Sequence, residues 1–346
     1  MMKALVIEDV QKAVIQEVPV PVIEKDGLII KTMANGVCRS DWHVWVGDHG
    51  IVQPVIGHEF CGIVEEVGSE IKNFKRGDRV IVPFSGSDGT CPHCIAGNTQ
   101  LCDSFIVPGT AYQGGYGEYV AVPKGDRNAI SLPDNLSFSD AAALGCRFMT
   151  AYHGVVDRVN VMPGEKVVVY GCGGIGLSAI HIASSMGAFV IGVDINDSNL
   201  ALAKKLGADF VINSKDNDPV EAVQEITKGG ADVSVDALGI TETCVPAIHS
   251  LKKGGRHLQI GVTSKKEAGF ISIPVDHMVL TEKSFITTLG IPAFRFTSLL
   301  EQVALGKLQP GKMVTREIGL SEVEGIFEDM SNFATTGTFV VTDYHA

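Results

Sequence analysis

Gly171, Gly173 and Gly176 follow the apolar run Val167-Val168-Val169-Tyr170 in the order Gly-x-Gly-x-x-Gly, with Gly174 and Ile175 filling the last gap. Gly171 allows a tight turn, Gly173 lets the backbone approach a pyrophosphate, and Gly176 lets a helix pack on the strand. The helix that follows points its first N–H groups at the phosphates. Asp194 lies 23 residues after Gly171. A carboxylate there accepts hydrogen bonds from both adenosine ribose hydroxyls and repels a 2′-phosphate. No Arg or Lys directly follows in Ile195-Asn196-Asp197, so NAD is favoured over NADP. A glycine-rich turn without a nucleotide is the plainer reading of such glycines, and the flanking strand and helix weigh against it.

A second group is spread along the chain. It comprises Cys38 in Gly36-Val37-Cys38-Arg39-Ser40-Asp41-Trp42-His43, His58 in Gly57-His58-Glu59, and Cys146 in Leu144-Gly145-Cys146. Taken alone, these residues read as two buried cysteines and a core histidine, the commoner fate of such side chains. A third group, Cys91, Cys94 and Cys102, lies in a Gly/Thr/Cys/Asn stretch from Ser85 to Asp103 that reads as loop. Eight cysteines in 346 residues, some at metal-like spacings, do not suggest a disulfide framework. A reducing, cytoplasmic setting is expected. Met1-Met2-Lys3 runs straight into Ala4-Leu5-Val6-Ile7 without a secretory pattern.

Two regions of different texture must position these groups. Up to about residue 150 the chain reads mostly as β, with short runs such as Leu28–Lys31, Gly62–Val67 and Arg79–Val82. Glycines, including the Gly114-Gly115-Tyr116-Gly117 cluster, punctuate those runs as turns. Beyond it, buried-strand runs at Val167–Tyr170, Phe189–Val193, Asp209–Ile212, Val233–Asp236 and His257–Ile260 alternate with helical stretches at Gly176–Met186 and Asn199–Leu206. That alternation implies βαβ units and a doubly wound parallel sheet. After about residue 290 the rhythm ends, with Phe294–Leu305 helical and Thr338–Val341 a last strand. The segment Val167–Val193 has no Asp, Glu, Lys or Arg and is long enough to span a bilayer. Its six glycines instead indicate strand, turn, helix and strand.

Composition narrows the function classes. The length suggests two domains, and 45% hydrophobic with 20% charged residues supplies a core. With 28 Lys+Arg against 40 Asp+Glu the net charge is −12, so nucleic acid and anionic membrane are not expected partners. An anionic ligand needs a local positive site.

Over essentially its whole length, the chain resembles the zinc-dependent alcohol dehydrogenases of the medium-chain dehydrogenase/reductase superfamily. The resemblance runs from Cys38-Arg39-Ser40-Asp41 and His43, through Gly57-His58-Glu59 and the cysteine stretch, to the dinucleotide fingerprint. It implies an α/β plus β fold: a GroES-like β-rich catalytic domain over residues 1–150 and 291–346, and a Rossmann coenzyme domain over 151–290. It implies that Cys38, His58 and Cys146 hold a catalytic zinc with a fourth position open. Glu59 is implied as the neighbour able to approach the metal, and Asp41 as the carboxylate orienting the histidine. Ser40 would accept the alcohol's proton and His43 would pass it on. Arg39 is implied on the pyrophosphate, Thr150 beside the nicotinamide, and Ile260 and Val262 with them in the cofactor site.

The family's second zinc site has four cysteines at offsets of 3, 3 and 8, and Asp88 here stands where the first belongs. Asp88, Cys91, Cys94 and Cys102 are therefore expected to form an Asp-Cys₃ zinc site, since one hard and three soft ligands still suit tetrahedral zinc. A vestigial lobe of reduced thiols is the alternative. Trp45, His49 and Phe84 fall near the family's substrate positions, with Trp42 and Leu101 beside them. The two tryptophans either narrow the pocket or pack the domain. Cys61, Cys172 and Cys244 read as packing residues, and His153, His181, His249 and His257 as structural. The expected activity is NAD- and zinc-dependent oxidation of primary or secondary alcohols to aldehydes or ketones, in a cytoplasmic homotetramer. A polyol dehydrogenase is the alternative, although those relatives commonly place Glu where this chain has Cys146.

Overall fold

The computed structural model describes every residue from Met1 to Ala346. The chain divides into two compact units, Met1–Met149 with Gly290–Ala346, and Thr150–Leu289.

The first unit opens with an antiparallel hairpin, β1 (Met2–Asp9) and β2 (Lys12–Val18). The strands β3 (Leu28–Gly36), β4 (Phe60–Val67), β5 (Arg79–Ile81), β6 (Tyr119–Val122) and β7 (Ile130–Ser131) follow. Alternation along β3 and β4 sends Leu28, Ile30, Phe60 and Val64 into a core shared with Val80, Val120 and Val122. Fully burying a side chain of this size contributes about 1.5–3 kcal/mol. A second core gathers Leu5, Ile7, Trp45, Tyr116 and Phe327 beside the hairpin.

The second unit carries β8 (Lys166–Tyr170), β9 (Phe189–Asp194), β10 (Phe210–Asn213), β11 (Ala231–Asp236), β12 (Leu251–Gln259) and β13 (Ser284–Thr287). All pair parallel in the order β10-β9-β8-β11-β12-β13. Val167, Val168 and Val169 are fully buried, as a strand covered on both faces requires. The order reverses between β8 and β11, and a crevice outside the carboxyl ends of the strands opens at such a reversal. The charge-free segment resolves into β8, the glycine turn, a helix over Gly174–Ser185, and β9. No helix is long and apolar enough to cross a membrane.

The chain then returns to the first unit with β14 (Val314–Gly319) and β15 (Thr338–Asp343). There β15 lies between β14 and β3, in the order β14-β15-β3-β4-β5-β7, and β6 also pairs with β3.

Three local expectations need correction. The β-rich stretch ends at Ser131, and residues 138–158 are helical, starting at Phe138 with Ser137 accepting the N–H of Asp140 at 3.0 Å. Ala141 to Leu144 are buried together, so this helix shows no polar face and no amphipathic period. The stretch Ser85–Asp103 is not plain loop, because Pro92–Ile95 is helical and Thr99–Leu101 is a 3₁₀ turn. Pro92 pre-sets the first helical φ there. The helix after the glycine turn starts at Gly174 rather than Gly176.

Candidate active site

Cys38 sits two residues beyond the end of β3, in extended backbone at the cap of a helix over Arg39–Trp45. The cap is closed by Asp41, whose Oδ2 accepts the Cys38 N–H at 3.1 Å. The same oxygen accepts the Tyr116 hydroxyl at 3.0 Å, while Oδ1 faces His58 Nδ1 at 2.8 Å. His58 and Glu59 lead into β4, and the Glu59 carbonyl accepts the Gly36 N–H at 2.9 Å. Cys146 arrives on a π-turn, Leu144–Phe148, kinked at Gly145 with φ −39° and ψ −113°.

These elements bring the ligand atoms of Cys38, His58, Glu59 and Cys146 to within 4.8 Å of one another. His58 Nε2 is buried with no hydrogen-bond partner. A buried ring nitrogen without a partner is costly, and a cation between it and two thiolates removes the cost. Two Cys and one His at one point suit zinc with an open fourth position. The two thiols are not equivalent. A hydrogen bond from Cys146 holds the Cys38 thiol well below its ordinary value, against the cost of burial, with help from His58 and Arg147. Cys146, by contrast, has its thiol pushed well up by that bond and by burial.

Arg147, a residue the sequence reading did not single out, pairs with Glu59 beside this cluster, and both side chains are buried. Burial alone would lower its pKa, but Glu59 and Cys38 outweigh it and hold the guanidinium charged. A lone charge inside the apolar run Leu144–Ala151 was the available signal. Tyr116 and Phe105 were also missed. Phe84 meets His58 edge-on at 6.0 Å and Phe105 at 6.1 Å.

Ser40 Oγ lies 3.7 Å from Cys38 Sγ. His43 Nδ1 lies 2.8 Å from Asp48 Oδ2, with the His49 ring 5.5 Å away. Burial lowers the His43 pKa and Asp48 opposes that shift. The Arg39 guanidinium lies 4.2 Å over Trp42 and 5.0 Å over Phe333, and donates to the Met330 carbonyl. Trp45 takes the packing role that the sequence leaves open for it. It is 4% exposed and packs against Phe327 in the domain core. It lies one helical turn beyond buried Asp41, so the same helix face carries both inward.

The second cluster is equally tight, with Asp88, Cys91, Cys94 and Cys102 placing their ligand atoms within 4.8 Å of one another. The Thr90 N–H, 2.8 Å from Asp88 Oδ1, holds that carboxyl well below its usual range. Cys102 Sγ accepts the Asp88 N–H at 3.4 Å.

In the second unit, Gly171 has φ +87° and a Cβ there would strike Leu238. A Cβ on Gly176 would strike the Gly171 carbonyl, whereas one on Gly173 would meet only open space. Asp194 accepts the Cys172 N–H at 2.6 Å and the Asn196 N–H at 2.8 Å, which fixes the carboxylate at the carboxyl end of β9. Asp236 was missed. It is fully buried and accepts Leu238 N–H, Gly239 N–H, Thr243 Oγ1 and Gln259 Nε2. It thereby pins the loop that lies over Gly171. Of the proposed cofactor residues in this unit, Thr150 and Ile260 are buried, and Val262 is exposed. Cys172 is buried with its thiol pushed well up, so it is a packing residue and not a reactive one.

Residues 24–134 match the family described as "Alcohol dehydrogenase GroES-like domain", and residues 174–304 match "Zinc-binding dehydrogenase". The chain is 34% identical to an NAD-dependent alcohol dehydrogenase of Sulfurisphaera tokodaii, over 98% of this chain and 99% of that protein. It is 34% identical to an alcohol dehydrogenase of Geobacillus stearothermophilus, over 98% of each chain. Among solved structures, an alcohol dehydrogenase from Thermus sp. ATN1 superposes with a TM-score of 0.91 at 29% identity, over 99% of this chain and 100% of that one.

Proposed function

The chain belongs to the zinc-dependent alcohol dehydrogenases of the medium-chain dehydrogenase/reductase superfamily, and on that premise we propose that it transfers hydride between a primary or secondary alcohol and NAD, giving the aldehyde or ketone. The observation that carries the reading is the orphaned His58 Nε2 beside Cys38 and Cys146. Those three residues hold the catalytic zinc, and Asp88, Cys91, Cys94 and Cys102 hold a second. The unit Met1–Met149 with Gly290–Ala346 is the catalytic domain, and Thr150–Leu289 binds NAD through Gly171, Gly173, Gly174, Ile175, Gly176 and Asp194.

Zinc held by Cys38, His58 and Cys146 would supply the Lewis acidity that lowers the pKa of a substrate hydroxyl, and NAD would be the hydride acceptor. The rest falls to the chain. Ser40 accepts the proton of the alcohol. His43, kept neutral by burial and aimed by Asp48, takes it onward toward solvent. Asp41 holds the His58 ring through Nδ1, which leaves Nε2 as the ligand atom. Arg39 supplies positive charge for the pyrophosphate, stacked between two aromatic rings. Thr150, Ile260 and Val262 line the nicotinamide side of the coenzyme site. Phe84 gives the substrate an apolar wall, with His49 near its entrance. The resemblance to family members that lack a longer insertion ahead of Gly114 is the ground for a homotetramer, which light scattering tests, and free thiols support a reducing cytoplasmic setting.

A panel of alcohols and carbonyl compounds with NAD(H) and NADP(H), followed at 340 nm, tests the reading. Ser40→Ala is expected to keep its metal and slow hydride transfer about 10²–10⁴-fold. Cys38→Ser is expected to lose both metal and turnover. A metal-replete protein that oxidises and reduces nothing in the panel would overturn it.

A further inference from the structure

Glu59 belongs to the four-residue cluster around the proposed zinc, yet its carboxylate is already engaged. Oε1 accepts the N–H groups of Cys146 at 3.0 Å and Arg147 at 3.2 Å, and Arg147 Nε at 3.0 Å. Oε2 accepts Arg147 Nη2. The Glu59 side chain is completely buried and that of Arg147 is 9% exposed. The packing leaves Glu59 little freedom, since a Cβ on Gly36 would strike its Oε2 and one on Gly145 its Cβ. Arg147 follows Cys146 directly, so the clamp and a proposed ligand move on one kinked turn.

Resting on the zinc reading above, we propose that Arg147 is a positioning residue that withholds Glu59 from the metal and so keeps the fourth coordination position for substrate. Two thiolates neutralise a divalent cation. A third anionic ligand would fill the open position and leave the centre with an excess negative charge. The Arg147 fork satisfies Glu59 from the side, through two nitrogens. Without that fork a buried carboxylate has the neighbouring cation as its compensating charge, and it turns to it. The Glu59–Arg147 pair therefore sets how readily the site exchanges its fourth ligand.

The test compares wild type, Arg147→Met, Glu59→Gln and the double variant with cobalt(II) exchanged for zinc at the Cys38–His58–Cys146 site alone, the Asp88 cluster keeping zinc. The visible d–d spectrum reads coordination without turnover, and kcat is measured alongside. Arg147→Met is expected to shift the spectrum and lower kcat at least about 10-fold. The double variant, a neutral pair of similar volume, is expected to restore the wild-type spectrum and recover most of that loss. Glu59→Gln alone is expected to keep the wild-type spectrum. A role confined to folding would lower melting temperature and leave the spectrum of Arg147→Met unchanged, which overturns the proposal. A double variant that keeps the shifted spectrum overturns it too, because Glu59 is then not the invading ligand. If Arg147→Met does not fold, Arg147→Gln, which is polar but uncharged, decides by the same readout: a shifted spectrum supports the proposal and none overturns it. A wild type that loads cobalt but oxidises no alcohol sinks the functional reading alone. One with no thiolate-to-cobalt charge-transfer band sinks both.

Discussion

Asp41 Oδ1 sits 2.8 Å from His58 Nδ1, and the other oxygen of that carboxylate closes the Cys38 cap and accepts the Tyr116 hydroxyl. One buried side chain thus sets the ring tautomer of one proposed ligand and the backbone of another. Asp41→Asn is expected to weaken zinc binding at the catalytic site about 10–100-fold. Tyr116→Phe, which removes one of the three contacts, is expected to cost about 1–2 kcal/mol of stability and less in affinity. Competition with a chromogenic chelator and thermal melts measure the two effects separately.

The second cluster predicts two zinc ions per chain purified without chelator. Asp88→Ala is expected to reduce the count to one and lower the melting temperature while leaving the metal at Cys38, His58 and Cys146. Asp88→Cys is expected to keep two and to slow release of the second, because a fourth thiolate suits zinc better than a carboxylate. Metal analysis with timed chelation reads both.

His43 makes a pH prediction with a definite sign. Burial lowers its folded pKa below 6.5, the unfolded value, despite Asp48. Its neutral form is favoured on folding, so its stability contribution is complete above pH 6.5 and is lost as pH falls through the folded pKa. The acid limb of kcat/KM for alcohol oxidation should accordingly fall below pH 6.5. Asp48→Asn removes an upward influence and should move the limb further down. His43→Gln should lower the rate and flatten the limb. Rate–pH profiles of the three proteins decide the matter.

Asp194 is expected to set coenzyme choice. Asp194→Gly should raise the dissociation constant for NADH at least about 10-fold, since it removes the acceptor of both ribose hydroxyls and each charge-assisted hydrogen bond contributes about 1.5–3 kcal/mol. It should also relax discrimination against NADPH, because the repulsion of a 2′-phosphate disappears. Fluorescence titration with both coenzymes tests this. Loss of the two N–H contacts to Cys172 and Asn196 should loosen the turn without unfolding the sheet.

Local features were legible before any coordinates. The glycine spacing, the fully apolar strand ahead of it and the strand–helix alternation are short-range signals, and they specify a doubly wound sheet. The convergence of Cys38, His58 and Cys146 is different. Their separations in the chain carry no period, and only a family resemblance drew them together. Arg147 and Tyr116 stayed hidden because their partners, Glu59 and Asp41, are chosen by packing. Trp45 had two readings, pocket or packing, because the sequence does not give its helix face, and its burial against Phe327 matches the packing one. The helical stretch over residues 138–158 escaped notice because nearly every side chain from Ala141 to Val155 is buried, which erases the pattern by which helices are found.

Val340 and Val341 of β15 pair with Gly36 and Asn35 at the end of β3, just ahead of Cys38. During synthesis, therefore, the ribosome has released the whole of Thr150–Leu289 before the sheet beside Cys38 receives its neighbour. The parallel sheet can mature on the nascent chain, whereas the thiols of the first unit wait in an unfinished scaffold. A nascent chain stalled before Thr338 would carry Cys38, His58 and Cys146 without the strand that pairs beside them.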